Sequence, residues 1–427
     1  MQVVNIGVLG LGTVGSGVVR LLKDHEHKIS SITGRKLVVK TVVVHNLEKK
    51  RDIDLTGIRM TNDINELIND NEINIVVEVM GTVTTAKKYI ELLLRAGKHI
   101  ITANKDLIAT YGSELAELAD QNKCDLFYEA SVAGGIPILR TIVNSFAADR
   151  IIEVKGIVNG TTNYILTKMS QNNMSFAEAL KSAQELGFAE PDPTNDIEGI
   201  DAAYKMIILT QFAFGINVAL DDIEVKGING IDLEDIKQAK GLGYNIKLLG
   251  IAKLINDRIS VAVGPVLVPE TQPLSAVQNE NNAVLVTGAA VGETMFYGPG
   301  AGELPTANSV LSDIIAVTKD IVLETTGNRF NDFSREGKQA LPDEVKYPYY
   351  ISLKVRDRPG QMLKITEVMT ELNASFHLII QSEYDDVNAR VVMTTHEMSE
   401  QQIKEIIEGI DNLEEIEVIA SYRILSE

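Results

Sequence analysis

From Glu190 to Lys205 the chain reads Glu-Pro-Asp-Pro-Thr-Asn-Asp-Ile-Glu-Gly-Ile-Asp-Ala-Ala-Tyr-Lys. Carboxylates crowd a proline-containing loop, and a helical pattern then sets Asp201 and Lys205 four residues apart. That spacing puts acid and amine on one helical face. The apolar run Met206 to Leu209 follows at once, so the pair stands where a helix enters a core. A lysine in such a place is costly unless paired, and partial burial lowers its pKa toward a range useful for proton transfer. A solvated helix carrying a surface ion pair has the same spacing. The acids just upstream favour a reactive site.

Elements that could position such a site begin at the N-terminus. Val3 to Leu9 reads as a buried strand, followed by Gly10-Leu11-Gly12-Thr13-Val14-Gly15 and an amphipathic segment through Leu22. Strand, G-x-G-x-x-G and helix in that order is a dinucleotide-binding arrangement. Gly10 permits the tight turn, Gly12 lets backbone approach a pyrophosphate, and Gly15 lets helix pack on strand. The helix N-terminus offers its free N–H groups to the phosphate. The second strand, Leu37 to Val44, ends not in an acid for a ribose hydroxyl but in His45-Asn46 and then Lys49-Lys50-Arg51. Cations there suit a 2′-phosphate and favour NADP over NAD, although an ordinary solvated basic loop explains them nearly as well.

Strand and helix alternate onward. Ile73 to Val79 is a strand, Thr84-Thr85 are placed to cap a helix through Ala96, and Gly97 stops it. His99 to Thr102 is another strand with Asn104-Lys105 at its carboxyl end, the end at which ligands bind in parallel sheets. The short strand Leu126 to Tyr128 leads into Glu129-Ala-Ser-Val-Ala-Gly-Gly-Ile-Pro137. One carboxylate with several free carbonyls is a hard-oxygen set suited to a monovalent cation; a tight turn between domains accounts for the same residues equally well.

From Ile151 the pattern changes. Strand Ile151 to Val158 ends in Asn159-Gly160, and a Thr cap in Thr161-Thr162-Asn163 opens a helix. Strands Ile259 to Val268 and Asn282 to Ala289 give a second α/β domain. Gly298-Pro-Gly-Ala-Gly302 precedes a helix from Thr306, either returning the chain to the cofactor or forming a hinge. Residues 330–348 are polar, with two prolines, and read as a linker. Beyond them come strand Tyr349 to Val355, a helix to Leu372, strands Phe376 to Gln381 and Ala389 to Thr395, a helix near Ser399 and strand Ile416 to Tyr422. That β-α-β-β-α-β order is ferredoxin-like.

Composition bounds the function. At 427 residues two or three domains are expected, and 45% apolar residues suffice for their cores. A net charge of −19 argues against a nucleic-acid or anionic-membrane partner. One cysteine, Cys124, excludes a disulfide framework and suits a reducing cytoplasm. No signal-peptide pattern is present, and Met206 to Leu220 is broken by Gln211, Gly215 and Asn217, as in a core helix.

With these motifs the chain resembles homoserine dehydrogenase of the long form, which carries a C-terminal ACT domain. The likeness spans essentially the whole chain. It rests on Gly10 to Gly15, Thr102 to Lys105, Glu129 to Pro137, Gly156 to Asn163, the Glu190 to Lys205 block, and Gly300-Ala301-Gly302 with Pro305-Thr306-Ala307. It implies a Rossmann-like dinucleotide-binding domain (1–130, with a return segment at 303–325), an α/β catalytic and dimerisation domain (131–302), and an ACT regulatory domain (349–427). The implied reaction interconverts aspartate semialdehyde and homoserine with NADP or NAD, a step toward threonine and methionine. Lys205 and Lys105 would flank the reacting oxygen, and Lys105 would also touch the cofactor. Glu190 would hold the substrate ammonium, with Asp196 and Asp201 orienting substrate and Lys205. Leu11, Thr13, Val14, His45 and Gly302 join the glycines as cofactor contacts. A structural sodium ion falls on Glu129 with the carbonyls of Val132, Gly134 and Ile136.

The ACT module would bind threonine as effector, with Asp357, Gly360 and Asn373 as contacts, in a homo-oligomer (dimer or tetramer); a purely oligomerising module is the alternative. Three positions depart from the family pattern. His45 stands where many relatives have arginine, and Thr82 and Thr85 replace a usual glycine and a later proline. Aspartate semialdehyde dehydrogenase would need a nucleophilic cysteine, and Cys124 lies in an ordinary segment. A catalytically dead sensor is disfavoured by intact Lys105, Glu190, Asp201 and Lys205. A kinase fusion is not expected, since the chain opens on the dinucleotide strand.

Overall fold

The computed structural model describes residues 2–426. The chain forms two compact units. The first runs to Ile151 and adds Tyr204–Leu220 and Asn282–Glu336; the second comprises Ile152–Ala203, Asp221–Asn281 and the segment from Gly337 onward.

The first unit is built on a parallel sheet of six strands: β1 (Val3–Leu9), β2 (Lys36–Val43), β3 (Arg59–Thr61), β4 (Ile73–Glu78), β5 (His99–Thr102) and β6 (Leu126–Phe127). Their order is 3-2-1-4-5-6, so strand order reverses between β1 and β4, and ligands bind outside the carboxyl ends of such a pair. The central strands are apolar on both faces because helices cover both: Ile6, Val8, Leu9, Ile75, Val76 and Val77 are fully buried.

Helix starts differ from expectation in three places. Thr84 and Thr85 lie inside the helix Thr84–Arg95, whose N-cap Val83 makes no side-chain bond. The return helix is Glu303–Leu323, beginning on the glycine turn itself with Gly302 as N-cap. In the second unit, Asn159 and not a threonine caps the helix Gly160–Asn172, its amide oxygen accepting from Thr162 N at 2.8 Å. Asparagine's planar carbonyl reaches the free N–H groups of the first turn while its own backbone stays extended. The helix Ile200–Phe214 stops at Gly215 (φ 68°). The apolar run beyond it, Ile216 to Ala219, is not helical.

The return helix packs on the glycine-loop helix Thr13–Asp24. A Cβ on Gly17 would stand 2.9 Å from both Ala307 Cβ and the Glu303 carbonyl, so Gly17 lets the two helices touch backbone to backbone.

In the second unit a long antiparallel hairpin, Tyr244–Ile255 with Arg258–Pro269, carries Ile151–Ile157 on its outer side. The terminal module has the expected element order, with its strands arranged Ile416–Ile424, Tyr349–Arg356, Asn388–Thr395, Phe376–Glu383. Its last strand also pairs in parallel with Arg258–Pro269 (Val266 with Arg423, Leu267 with Ile424), so its sheet continues that of the hairpin. Buried polar groups tie the two further: Tyr350 Oη donates to Asp235 at 2.8 Å, and Arg390 Nη1 donates to the same carboxylate at 3.0 Å. The segment read as a linker is anchored too. Ile259 N donates to Lys338 O and Ala340 N to Ile259 O, each at 2.8 Å. In the first unit, Phe330 stacks on Phe127 with ring centroids 4.7 Å apart.

Candidate active site

The glycine turn after β1 has three different jobs at its three glycines. Gly10 adopts φ 96°, and a Cβ there would lie 2.7 Å from the Val79 carbonyl. A Cβ on Gly15 would meet the Gly10 carbonyl at 2.3 Å, so that glycine folds the helix down onto its own turn. Gly12, the N-cap of Thr13–Asp24, has nothing within 4 Å of a Cβ position. An open cradle over a helix N-terminus, unfilled by protein, is the shape a pyrophosphate requires. Gly12→Val is therefore expected to fold with an unchanged thermal midpoint yet weaken dinucleotide binding at least ~10-fold. Gly15→Ala should instead lower stability, and calorimetry with cofactor titration separates the two.

His45 is exposed just past β2. Arg51, which the sequence offered only as one of three cations, bends back over the turn. Its Nη2 donates to Asn46 O at 2.9 Å and its Nε to Leu11 O at 3.4 Å, so a guanidinium rests beside the glycine loop.

At the carboxyl ends of β4 and β5 a buried chain of hydrogen bonds holds Lys105. Glu78 is fully buried, and its carboxyl is pushed above the usual range by desolvation. It accepts from Thr102 Oγ1 at 2.6 Å and Met80 N at 2.8 Å. Thr102 Oγ1 in turn accepts from Asn104 N, and the Asn104 amide donates to Thr82 O at 2.9 Å. Asn104 then caps the helix Lys105–Gln121 by accepting from Leu107 N. Lys105, the first residue of that helix, lies with Nζ 3.5 Å from Asp106. Glu78 was invisible as a functional residue in the sequence, where it closes an apolar strand, and Thr102 stood out only as the first residue of the motif that ends in Lys105. The departing residue Thr82 joins this network through its backbone, which any side chain provides.

The acidic loop of the second unit folds into the short helix Thr194–Ile197 and turns through Gly199 (φ 82°) into Ile200–Phe214, which from Tyr204 onward belongs to the first unit. Asn159 gathers two of its acids: its Nδ2 donates to Asp196 Oδ1 and to Asp201 Oδ2, both at 2.7 Å. Asn159 thus caps one helix with its oxygen and clamps two carboxylates with its nitrogen. Sequence marked it only as a turn residue, and the strand-to-helix position of Asn-Gly was the available signal. Asp201 is 9% exposed, Asp196 is half-buried and Glu190 is exposed. Lys205 follows Asp201 by one helical turn.

Glu129 is 1% exposed, and its carboxylate accepts from Leu139 N at 2.9 Å and Arg140 N at 2.8 Å, capping the helix Ile138–Ser145. Its backbone N–H donates to Asp313, which Arg140 pairs through Nη2. Burial pushes Asp313 up to about 7. The Glu129 side chain is thus spent on a helix cap, and oxygen donors for a cation come down to carbonyls. Those of Glu129, Val132, Gly134 and Ile136 lie on one loop bent by left-handed Ala133 and Gly134, and the Gly134 oxygen also accepts from Ser309 at 2.7 Å. A carbonyl-only set of this kind fits a monovalent ion. Cys124 is buried, and burial pushes its thiol up to about 11, which suits no nucleophile.

In the terminal module Asp357, Gly360 and Asn373 are all exposed. Gly360 (φ 93°) opens the helix Gln361–Glu371, and Asn373 (φ 53°) closes it.

The family description "Homoserine dehydrogenase" matches residues 137–315, its NAD binding domain matches 10–129, and the ACT domain matches 349–415. The chain is 48% identical to homoserine dehydrogenase of Bacillus subtilis, covering 99% of both chains. The chain belongs to the homoserine dehydrogenase family. A family structure from Thiobacillus denitrificans superposes with a TM-score of 0.95 at 36% identity, covering 100% of this chain and 99% of that one. A hyperthermophilic archaeal homoserine dehydrogenase in complex with NADPH covers 74% of this chain and 98% of its own, with TM-score 0.61 at 26% identity. The homoserine dehydrogenase match at 137–315 contains Asn159, Glu190, Asp196, Asp201 and Lys205, and the NAD-binding match contains Gly10 to Gly15 and Lys105. A nicotinamide cofactor follows from the family. Among the described residues no helix is long and apolar enough to cross a membrane.

Proposed function

We propose that this chain catalyses the reversible, NADP-preferring reduction of L-aspartate 4-semialdehyde to L-homoserine, regulated by threonine through the terminal module. The observation that carries the reading is the full-length family likeness, which includes every residue assigned a role.

A nicotinamide, when bound, supplies or accepts the hydride. The protein's own work is to hold the substrate and manage charge on its oxygen. Lys205 stabilises the oxyanion that develops as the aldehyde carbon is reduced, and donates the proton that completes the alcohol. Asp201, one turn earlier on the same helix face, keeps that ammonium aimed, and Asn159 keeps Asp201 aimed. Asp196 shares the same amide and orients substrate. Glu190, on the loop above, takes the substrate's ammonium. Lys105 is the second cation at the reacting oxygen and a neighbour of the cofactor. Its position is set by the buried Glu78–Thr102–Asn104 chain. Gly302, whose φ of 113° favours glycine, caps the return helix, and its backbone would approach the cofactor there.

NADP preference is supported by Arg51 beside the Leu11 carbonyl and by His45-Asn46, where an acid for a ribose hydroxyl would stand at the end of β2. Both suit a 2′-phosphate better than a free hydroxyl. A sodium ion on the carbonyls of Glu129, Val132, Gly134 and Ile136 would fix that loop. Assembly as a homo-oligomer and residence in the cytoplasm complete the reading.

The test follows absorbance of the reduced nicotinamide with homoserine as substrate, with NADP and NAD in parallel, with and without threonine. Cofactor reduction, faster with NADP and slowed by threonine, is the expected result. No reduction with either cofactor despite binding would refute the activity. A rate indifferent to threonine would refute the regulation.

A further inference from the structure

The acidic helix Thr194–Ile197 has four residues, none of them buried. So short a helix is not stable by itself, and what it leans on decides where Asp196 stands. It leans on the stretch Glu224–Ile228, which lies in the same unit. Ile228 N donates to Ile197 O at 2.7 Å, and the Asn229 amide donates to Glu198 Oε1 at 3.2 Å. A Cβ on Gly227 would overlap the Ile197 carbonyl oxygen and stand 2.5 Å from Glu198 Cα. Gly227 has no left-handed φ, so this glycine serves the close approach of two backbones and not a turn. Gly199, just past the acidic helix, is packed against the same stretch: a Cβ there would lie 3.2 Å from Val225 Cγ1.

The stretch is held in turn from two sides. Glu224 and Val225 pair in parallel with Ala262 and Val263, and Lys226 N donates to Val263 O at 2.8 Å. The terminal module's last strand takes the side chains. Lys226 Nζ donates to Ser421 O at 3.0 Å and lies 5.3 Å from the centroid of the Tyr422 ring, and Glu224 pairs with Arg423. A cation over an aromatic face is attracted to it as well as to the carbonyl. With no side chain between Gly227 and Ile197, a shift of one backbone is passed directly to the other, since packed interiors yield little. Asp196 immediately precedes Ile197 and shares the Asn159 amide with Asp201.

We propose that Lys226 and Gly227 are positioning residues of the substrate site, through which the terminal module's last strand fixes the acidic helix and so the place of Asp196. Neither residue touches substrate. Lys226 ties the stretch to Ser421, and Gly227 transmits that anchorage to Ile197. The proposal rests on the reading of Asp196 as an acid that orients substrate. It makes the terminal module a part of the scaffold on which the substrate site is built.

Steady-state kinetics on the full-length protein test this, with homoserine and NADP varied in turn and the thermal midpoint recorded for each variant. Lys226→Met keeps the aliphatic stem and loses only the donor and the charge. It should raise KM for homoserine about fivefold, the worth of one hydrogen bond, with kcat and KM for NADP within about twofold of wild type. Lys226→Arg restores a donor and a cation over Tyr422, and should return KM for homoserine to within about twofold of wild type. Gly227→Ala drives the two backbones apart and should raise that KM at least ~10-fold. In an Asp196→Asn background, Lys226→Met should add less than about twofold, because the charge it positions is already gone. An unchanged KM for homoserine in Lys226→Met overturns the proposal, as does full additivity with Asp196→Asn. A lowered thermal midpoint with equal changes toward homoserine and NADP also overturns it, since that is the mark of a merely structural role. If Gly227→Ala does not fold, the two Lys226 variants decide. Absence of turnover in the wild type overturns the functional reading itself, and the wild-type protein alone tells that failure apart.

Discussion

Replacing Lys205 by alanine is expected to lower kcat by about 10³, within the range for loss of a positioned general acid, while cofactor affinity stays within about twofold. The argument is one of placement. Lys205 sits one turn after a nearly buried Asp201, which accepts from the Asn159 amide at 2.7 Å. An ammonium held by that carboxylate would have little freedom to move, and a fixed positive charge is worth most where charge appears during the reaction. The fall should appear equally in kcat and kcat/KM, since the interaction belongs to the transition state. A solvated surface pair predicts the opposite, a stability change below about 1 kcal/mol and no rate effect. Stopped-flow turnover with separate cofactor titration decides, and wild-type turnover in the variant would remove Lys205 from the chemistry. Asn159→Ala, which unclamps Asp201 and leaves Lys205 in place, should lose less.

Arg390→Met is expected to destabilise the second unit by about 3–5 kcal/mol, the usual cost of stranding a buried charge. Arg390 and Asp235 have side chains 4% and 0% exposed, and Asp235 also accepts the Tyr350 hydroxyl. Burial alone pushes the Asp235 carboxyl upward, and Tyr350 and Arg390 pull it back. Without the guanidinium its folded pKa rises further above its unfolded value. A group shifted that way is harmless when protonated and increasingly costly as pH rises through its folded pKa. The deficit against wild type should thus be small near pH 4 and widen toward neutrality. Calorimetric scans across that range check it, and a pH-independent deficit would show that lost packing dominates. The same contacts bear on a chain ended after Pro342. Such a chain loses Tyr350, Arg390 and the strand paired along Arg258–Pro269, so we expect it to be unstable rather than simply deregulated.

Much of the dinucleotide turn and of the acidic block was legible because their signals are local. Gly10, Gly12 and Gly15 are spaced by the geometry of one turn, and Asp201 and Lys205 by one turn of helix. Each can be read from neighbours in sequence. The helix starts at Thr84, Gly160 and Glu303 were less legible, since a cap depends on whether a side chain's oxygen reaches a free N–H group. At Asn159 a residue read as a turn former proved to be that cap. At Thr84 and Thr85 two good capping types do no capping.

The sequence by itself determined the alternation of strand and helix around the dinucleotide turn, the turn itself, the acidic loop with its lysine, and the ferredoxin-like tail. Those follow from periodicity, glycine and charge within short windows. Only the tertiary structure decided what those pieces lean on. Glu78 lies under Asn104, Asp313 beside Glu129, Arg390 on Asp235, and Arg423 at the seam of two strands. Each joins residues far apart in the chain, and each depends on burial, which turns an ordinary charged residue into a fixed one. Burial belongs to the folded chain as a whole, and no window of sequence contains it.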